Sequence, residues 1–222
     1  MFHDAALVAG KDLRIELRSK VTLQQMAPFA VLMLILFGVA LDPDRGVLGR
    51  ASAGLFWVAV LFCALLAIQR AFTIEAADGG RDALRLSGLD PAGVFLGKAA
   101  AIAVQLAALE VVLAVGVVIM YGAEVTGWPL LVATCLAATT GLAAAGTLYG
   151  VLAAGLRVRE TLLPILLLPV LSPVLIGATK AFEAALGGVA TDGWPWCGLL
   201  VAFALLYLAF GTLAFGTLLE ET

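Results

Sequence analysis

Charge is scarce in this chain. Asp, Glu, Lys and Arg make up 13% of its 222 residues, about half the share a water-soluble domain carries. Histidine is almost absent, with His3 alone, and the three cysteines form no CxxC pair. That spacing indicates neither a disulfide frame nor a zinc site. Cys63, Cys135 and Cys197 read instead as small packing residues. A nucleotide loop is missing too. The nearest match, Gly93 to Lys98 (GVFLGK), has three residues between its glycines and Ala99 after the lysine. A phosphate-binding loop needs four, then Ser or Thr. Nor do the first 20 residues resemble a cleavable leader, because charges run through them from Asp4 to Lys20.

What is present is hydrocarbon. Apolar residues reach 63% and the mean hydropathy is +1.08. Several apolar runs approach the roughly 20 residues that cross a bilayer. The reading is an all-α integral membrane protein of one transmembrane domain. Six spans are expected at about 21–41, 53–69, 92–121, 129–156, 162–179 and 196–219. Before them, residues 4–20 have Ala6, Gly10, Leu13 and Leu17 at helical spacing, with Lys11, Arg14 and Arg18 on another face. That pattern predicts an amphipathic helix lying at the lipid surface. With the N-terminus in the cytoplasm, ten of the thirteen Lys and Arg residues fall on the inner side. Both termini are therefore placed inside. Trp128, Trp194 and Trp196 then sit at the outer interface, where indole rings prefer to be.

Residues 70–91 interrupt the oil with a cytoplasmic loop. Asp78-Gly79-Gly80 is a turn signal, Arg81 to Leu86 (RDALRL) can form a short amphipathic helix, and Ser87-Gly88 ends it. Asp90 followed by Pro91 is a strong helix start. Leu84 and Leu86 need cover, so the loop reads as a docking element for another protein rather than a plain solvated turn. Lys98, just inside the next helix, is expected to snorkel to the inner interface.

Three features lie within the spans. Glu110, near the middle of the third, is costly in hydrocarbon and so a functional candidate. A protonated Glu bonded to a neighbouring helix is an equally good reading, and Gln105 is poorly placed to be its partner. Pro164, Pro169 and Pro173 crowd one span and suggest a bent or broken helix facing protein or a cavity. Gly146-xxx-Gly150 marks a close-packing face, within the chain or between copies.

Taken together, KDLRIELRSK (11–20), GLFWVAVLFCALLAIQRAF (54–72), DGGRDALRLSGLDPAGVFLGK (78–98) and LLPILLLPVLSPVLIGAT (162–179) resemble the CcmB family. These are the haem exporter protein B subunits of the cytochrome c maturation ABC complex. The resemblance covers essentially the whole chain. One departure is visible: the family usually has Glu before the leucines of the loop helix, where Asp82 stands here, with Arg85 among the leucines.

The resemblance implies a permease-like, non-catalytic subunit of the bacterial inner membrane. ATP would be hydrolysed by a partner ATPase, the A subunit, in two copies. C and D membrane subunits, a periplasmic haem chaperone and a second copy of this chain complete the implied partners, with membrane lipid and no nucleic acid. Residues 75–89 would form the coupling element, with Glu75, Asp78, Gly79, Arg81, Asp82, Leu84, Arg85 and Leu86 as its contact candidates. Haem would be a handled or transported substrate. The shortage of axial ligands argues against a ligated haem in this chain. The alternative is an ABC-2 type permease for a drug, lipid or polysaccharide, which shares the same architecture.

Overall fold

The computed structural model describes residues 1–20, 22–41, 45–77, 88–123, 125–154 and 159–221. Among them the chain is helical throughout, with no strand. The helices are α1 (Phe2–Ser19), α2 (Ala27–Ala40), α3 (Arg45–Ala77), α4 (Pro91–Tyr121), α5 (Trp128–Ala154), α6 (Arg159–Ala185) and α7 (Ala190–Glu221). Helices α3 to α7 are each long and apolar enough to cross a membrane. The first expected span is divided differently from the reading at 21–41. A π-helical turn, Thr22–Met26, precedes the 14-residue α2. Only together with α1, at a bend of 55°, does this segment reach spanning length.

Helix α4 organises the front of the bundle. Asp90 caps it by accepting a hydrogen bond from the Ala92 N–H at 3.1 Å, and Pro91 occupies its first turn. At the other end Gly122 takes a left-handed φ of 62° that an L side chain would resist. Along its length α4 receives α1, α2, α3, α5 and α7. The Tyr121 hydroxyl donates to the Leu34 carbonyl at 2.8 Å and so ties the C-terminal end of α4 to α2.

Helices α3 and α5 form the centre, with 67% and 72% of their spanning windows buried. Glycine permits this. A methyl group on Gly146 would run into Ile68, and one on Gly150 into the Phe72 ring. The Gly146-xxx-Gly150 face therefore packs α5 on α3 within one chain, as small residues allow backbones to approach in membranes. Phe56 stacks on Phe182 with ring centroids 4.6 Å apart, and Trp57 meets Phe182 edge-on, which joins α3 to α6.

The three prolines do not break α6. It runs without interruption through Pro164, Pro169 and Pro173. Its buried stripe is Leu163, Leu167, Leu171, Val174 and Ala178. Pro169 and Pro173 lie on the opposite, exposed face, and the helix is not broken there as expected. The physical reason is placement. On the outer side a missing donor bends a helix around its core without forcing a ring into the packed face.

Candidate functional site

The polar loop between α3 and α4 is framed by structure at both roots. Asp78, Gly79, Arg81, Asp82, Leu84, Arg85 and Leu86 lie outside the described residues. Glu75 falls in the last turn of α3, and its side chain lies outside them too. What is described is the pair of helices the loop connects, α3 ending at Ala77 and α4 beginning at Pro91, and a strap across both.

That strap is α1. Its expected apolar face is turned outward, with Leu17 73% exposed, while Val8 and Glu16 are buried against the bundle. The reason is charge. Glu16 pairs with Arg70 of α3 at 3.4 Å, and Asp12 pairs with Lys98 of α4 at 3.5 Å. Lys98 is thus buried and does not snorkel; its ammonium also lies 5.3 Å from the centre of the Phe72 ring. Two glycines let α1 come close. A methyl on Gly97 would stand 2.6 Å from the Ala5 carbonyl oxygen, and one on Gly93 would stand 2.7 Å from that of Met1. The α1 acids face inward and the cations Lys11, Arg14 and Arg18 are less covered. His3 is a residue of this helix rather than of a free tail.

The second polar feature lies deep in the spans. Glu110 is 5% exposed, on the side of α4 that meets α5. The Thr139 hydroxyl of α5 donates to its carboxylate, and the Cys135 thiol lies within hydrogen-bonding reach of the same group. Gln105 is not its partner; it borders the polar niche that contains Asp12, Glu16 and Arg70. Beside Glu110 a cavity of about 680 Å³ opens between α4 and α5. Its walls carry Val111, Val115, Val132 and Leu136, and Trp128, the first residue of α5, also lines it. The other two cysteines, Cys63 on α3 and Cys197 on α7, are buried away from it.

Sequence reasoning found Glu110 but not Thr139, although the Thr139-Thr140 doublet is a polar mark inside an apolar span. It also missed that Asp12 and Glu16 are the anchoring residues of α1. Their spacing of four, on the same face as Val8, was the available signal.

A family model described as CcmB protein matches residues 4–221. The chain belongs to the CcmB family. Curated relatives of this CcmB chain agree along most of their length. One is Heme exporter protein B of Pseudomonas aeruginosa, 29% identical over 94% of both chains. The protein of the same name from Escherichia coli K12 is 31% identical over 91% of this chain and 93% of its own. The Haemophilus influenzae protein is 31% identical over 80% of each. The CcmB match spans nearly all of α1, both roots of the polar loop and the Glu110 region, so none of these features is an appendage to the family fold.

Proposed function

We propose that this chain is the membrane subunit of an ABC complex that exports or handles haem in c-type cytochrome maturation. The observation that carries the reading is the CcmB match across 4–221, joined by relatives named Heme exporter protein B. A permease for a drug, lipid or polysaccharide is not favoured, because the named relatives are haem exporters. The chain is a multi-pass membrane protein, in this proposal of the bacterial inner membrane with both termini cytoplasmic. It does no bond-breaking chemistry itself. A separate ATPase, two copies of it beneath two copies of this chain, supplies the work. Further membrane subunits and a periplasmic haem chaperone act with them.

In this mechanism the ATPase pushes on residues 75–89. The load divides into α3 and α4, because the loop joins the two. The α1 strap, ion-paired to Arg70 and Lys98, makes those two roots move as one body. Haem is the substrate of the system, and release of the loaded chaperone is the step this subunit drives.

The test replaces Asp78, Asp82 and Arg85 with Ala together. ATPase retained on the purified subunit is expected to fall about thirtyfold, equivalent to about 2 kcal/mol of lost docking. Covalent haem should then accumulate on the chaperone while cytochrome c stays unfinished. Full retention of both ATPase binding and cytochrome c formation would overturn the proposal.

A further inference from the structure

Helix α1 sorts its charges by face. Its acids turn to the bundle, where Asp12 meets Lys98 and Glu16 meets Arg70. Its cations turn outward: Lys11, Arg14 and Arg18 follow one another at spacings of three and four and form one exposed row. Lys11 shares Asp12 with Lys98. Among the described residues, no carboxylate pairs with Arg14 or Arg18. A hollow of about 380 Å³ lies along the row, lined by the three cations together with Ala6, Leu7 and Gly10. The small residues make the room, and nothing lies within 4 Å of the place a methyl on Gly10 would take. We propose that this hollow binds the headgroup of an anionic phospholipid, with Arg14 and Arg18 on its phosphate and Leu7 beside the start of its acyl chains.

Three observations select this occupant. First, the charge is complementary. The bundle takes up the acids of α1, so the outward row is left cationic, and the guanidinium fork suits a phosphate. Basic residues on an amphipathic helix beside a membrane span draw anionic lipid. Second, the depth is right. Arg70, which holds Glu16, lies one helical turn from the end of the apolar window of α3 at Ile74. The α1 row thus stands where hydrocarbon gives way to headgroups, and the chain continues from it into the apolar α2. Third, the cations have apolar neighbours on the same open side of the helix, with Leu7 52% and Leu17 73% exposed. A free phosphate gains nothing from those side chains, whereas a lipid covers them with its tails. The proposal goes beyond the transport reading and needs only that the chain sits in a membrane.

The experiment titrates the purified full chain, in neutral detergent, with dioctanoyl phosphatidylglycerol and reads bound lipid by native mass spectrometry. Arg14→Gln combined with Arg18→Gln should weaken binding about thirtyfold, about fivefold for each cation. Gly10→Leu, which fills the hollow and leaves every cation in place, should weaken it too. Lys180→Gln, a cation paired with Glu183 on α6, should leave it unchanged. SDS unfolding of the same variants checks that each is folded. Two further ligands separate the sources of the chemistry: glycerol 3-phosphate has the phosphate without tails, and dioctanoyl phosphatidylcholine has the tails without net negative charge. Both should bind far more weakly than phosphatidylglycerol. In cells that express the whole system, a photo-crosslinking amino acid at Leu7 should attach to phospholipid. Unchanged phosphatidylglycerol binding by the double variant, equal binding of either control ligand, or capture of a polypeptide from position 7 would overturn the proposal. ATPase co-purification reports separately on the polar loop, so loss of lipid binding with the ATPase retained leaves the transport reading standing.

Discussion

Gly97→Val should detach α1 from the bundle, whereas Gly10→Ala on α1 itself should leave it in place. The two sites differ in what a side chain would meet. At Gly97 a methyl would stand 2.6 Å from the Ala5 backbone oxygen and 2.7 Å from the Val8 Cβ. Neither atom can rotate away, so the whole helix must move. Overpacking of this kind costs about 1–3 kcal/mol. Here a further loss follows, because shifting α1 withdraws Asp12 from the buried Lys98 and Glu16 from Arg70. At Gly10 nothing lies within 4 Å, and replacing helical glycine with alanine gains up to about 1 kcal/mol. Unfolding by SDS in mixed micelles, with limited proteolysis near residue 20, measures both. The expected result is a loss of at least about 2 kcal/mol and new cleavage for Gly97→Val, with neither for Gly10→Ala. Equal behaviour of the two variants would mean that α1 does not pack on α4 through Gly97.

The second large effect is asymmetric. Thr139→Val should destabilise the protein by about 1–3 kcal/mol, because it leaves a buried carboxyl group with only the weak Cys135 thiol as a donor. Glu110→Leu should cost less. The Thr139 hydroxyl it frees can turn to the carbonyl four residues earlier, as Thr140 does to Leu136 and Thr147 to Ala143 in the same helix. Combining Glu110→Leu with Thr139→Val should recover most of the stability lost by the threonine change alone. A double-mutant cycle in the same SDS assay reads this directly. Strict additivity, with the double variant as poor as the sum, would show that the two side chains do not interact.

The spanning helices were legible because apolar runs and bilayer thickness leave little choice, and the start of α4 was legible because Asp-Pro is a local signal. Tertiary partners were not. In α1 the spacing of Ala6, Gly10, Leu13 and Leu17 marks a face for the lipid surface and gives no sign of the face that meets the bundle. The bundle instead offers two cations at Arg70 and Lys98, and burying a carboxylate against a cation outweighs burying leucine where lipid is an equally good solvent for it. For the same reason Lys98 is not a snorkelling residue: its counter-charge comes from 86 positions earlier in the chain. Three prolines looked like a break because sequence gives their number and not their side. With Pro169 and Pro173 on the exposed face of α6 and Pro164 half-buried near its start, they are compatible with an intact helix. Glu110 was visible as an outlier in hydrocarbon, but its partner Thr139 is on another helix, 29 residues away.

The central claim is that the polar loop between α3 and α4 faces the cytoplasm, where an ATPase can push on it. An Arg85→Cys variant in a chain otherwise free of cysteine measures this, through reaction with a membrane-impermeant maleimide. Protection in intact cells and labelling in inverted membrane vesicles is the predicted result. Labelling of position 85 from outside intact cells would contradict it.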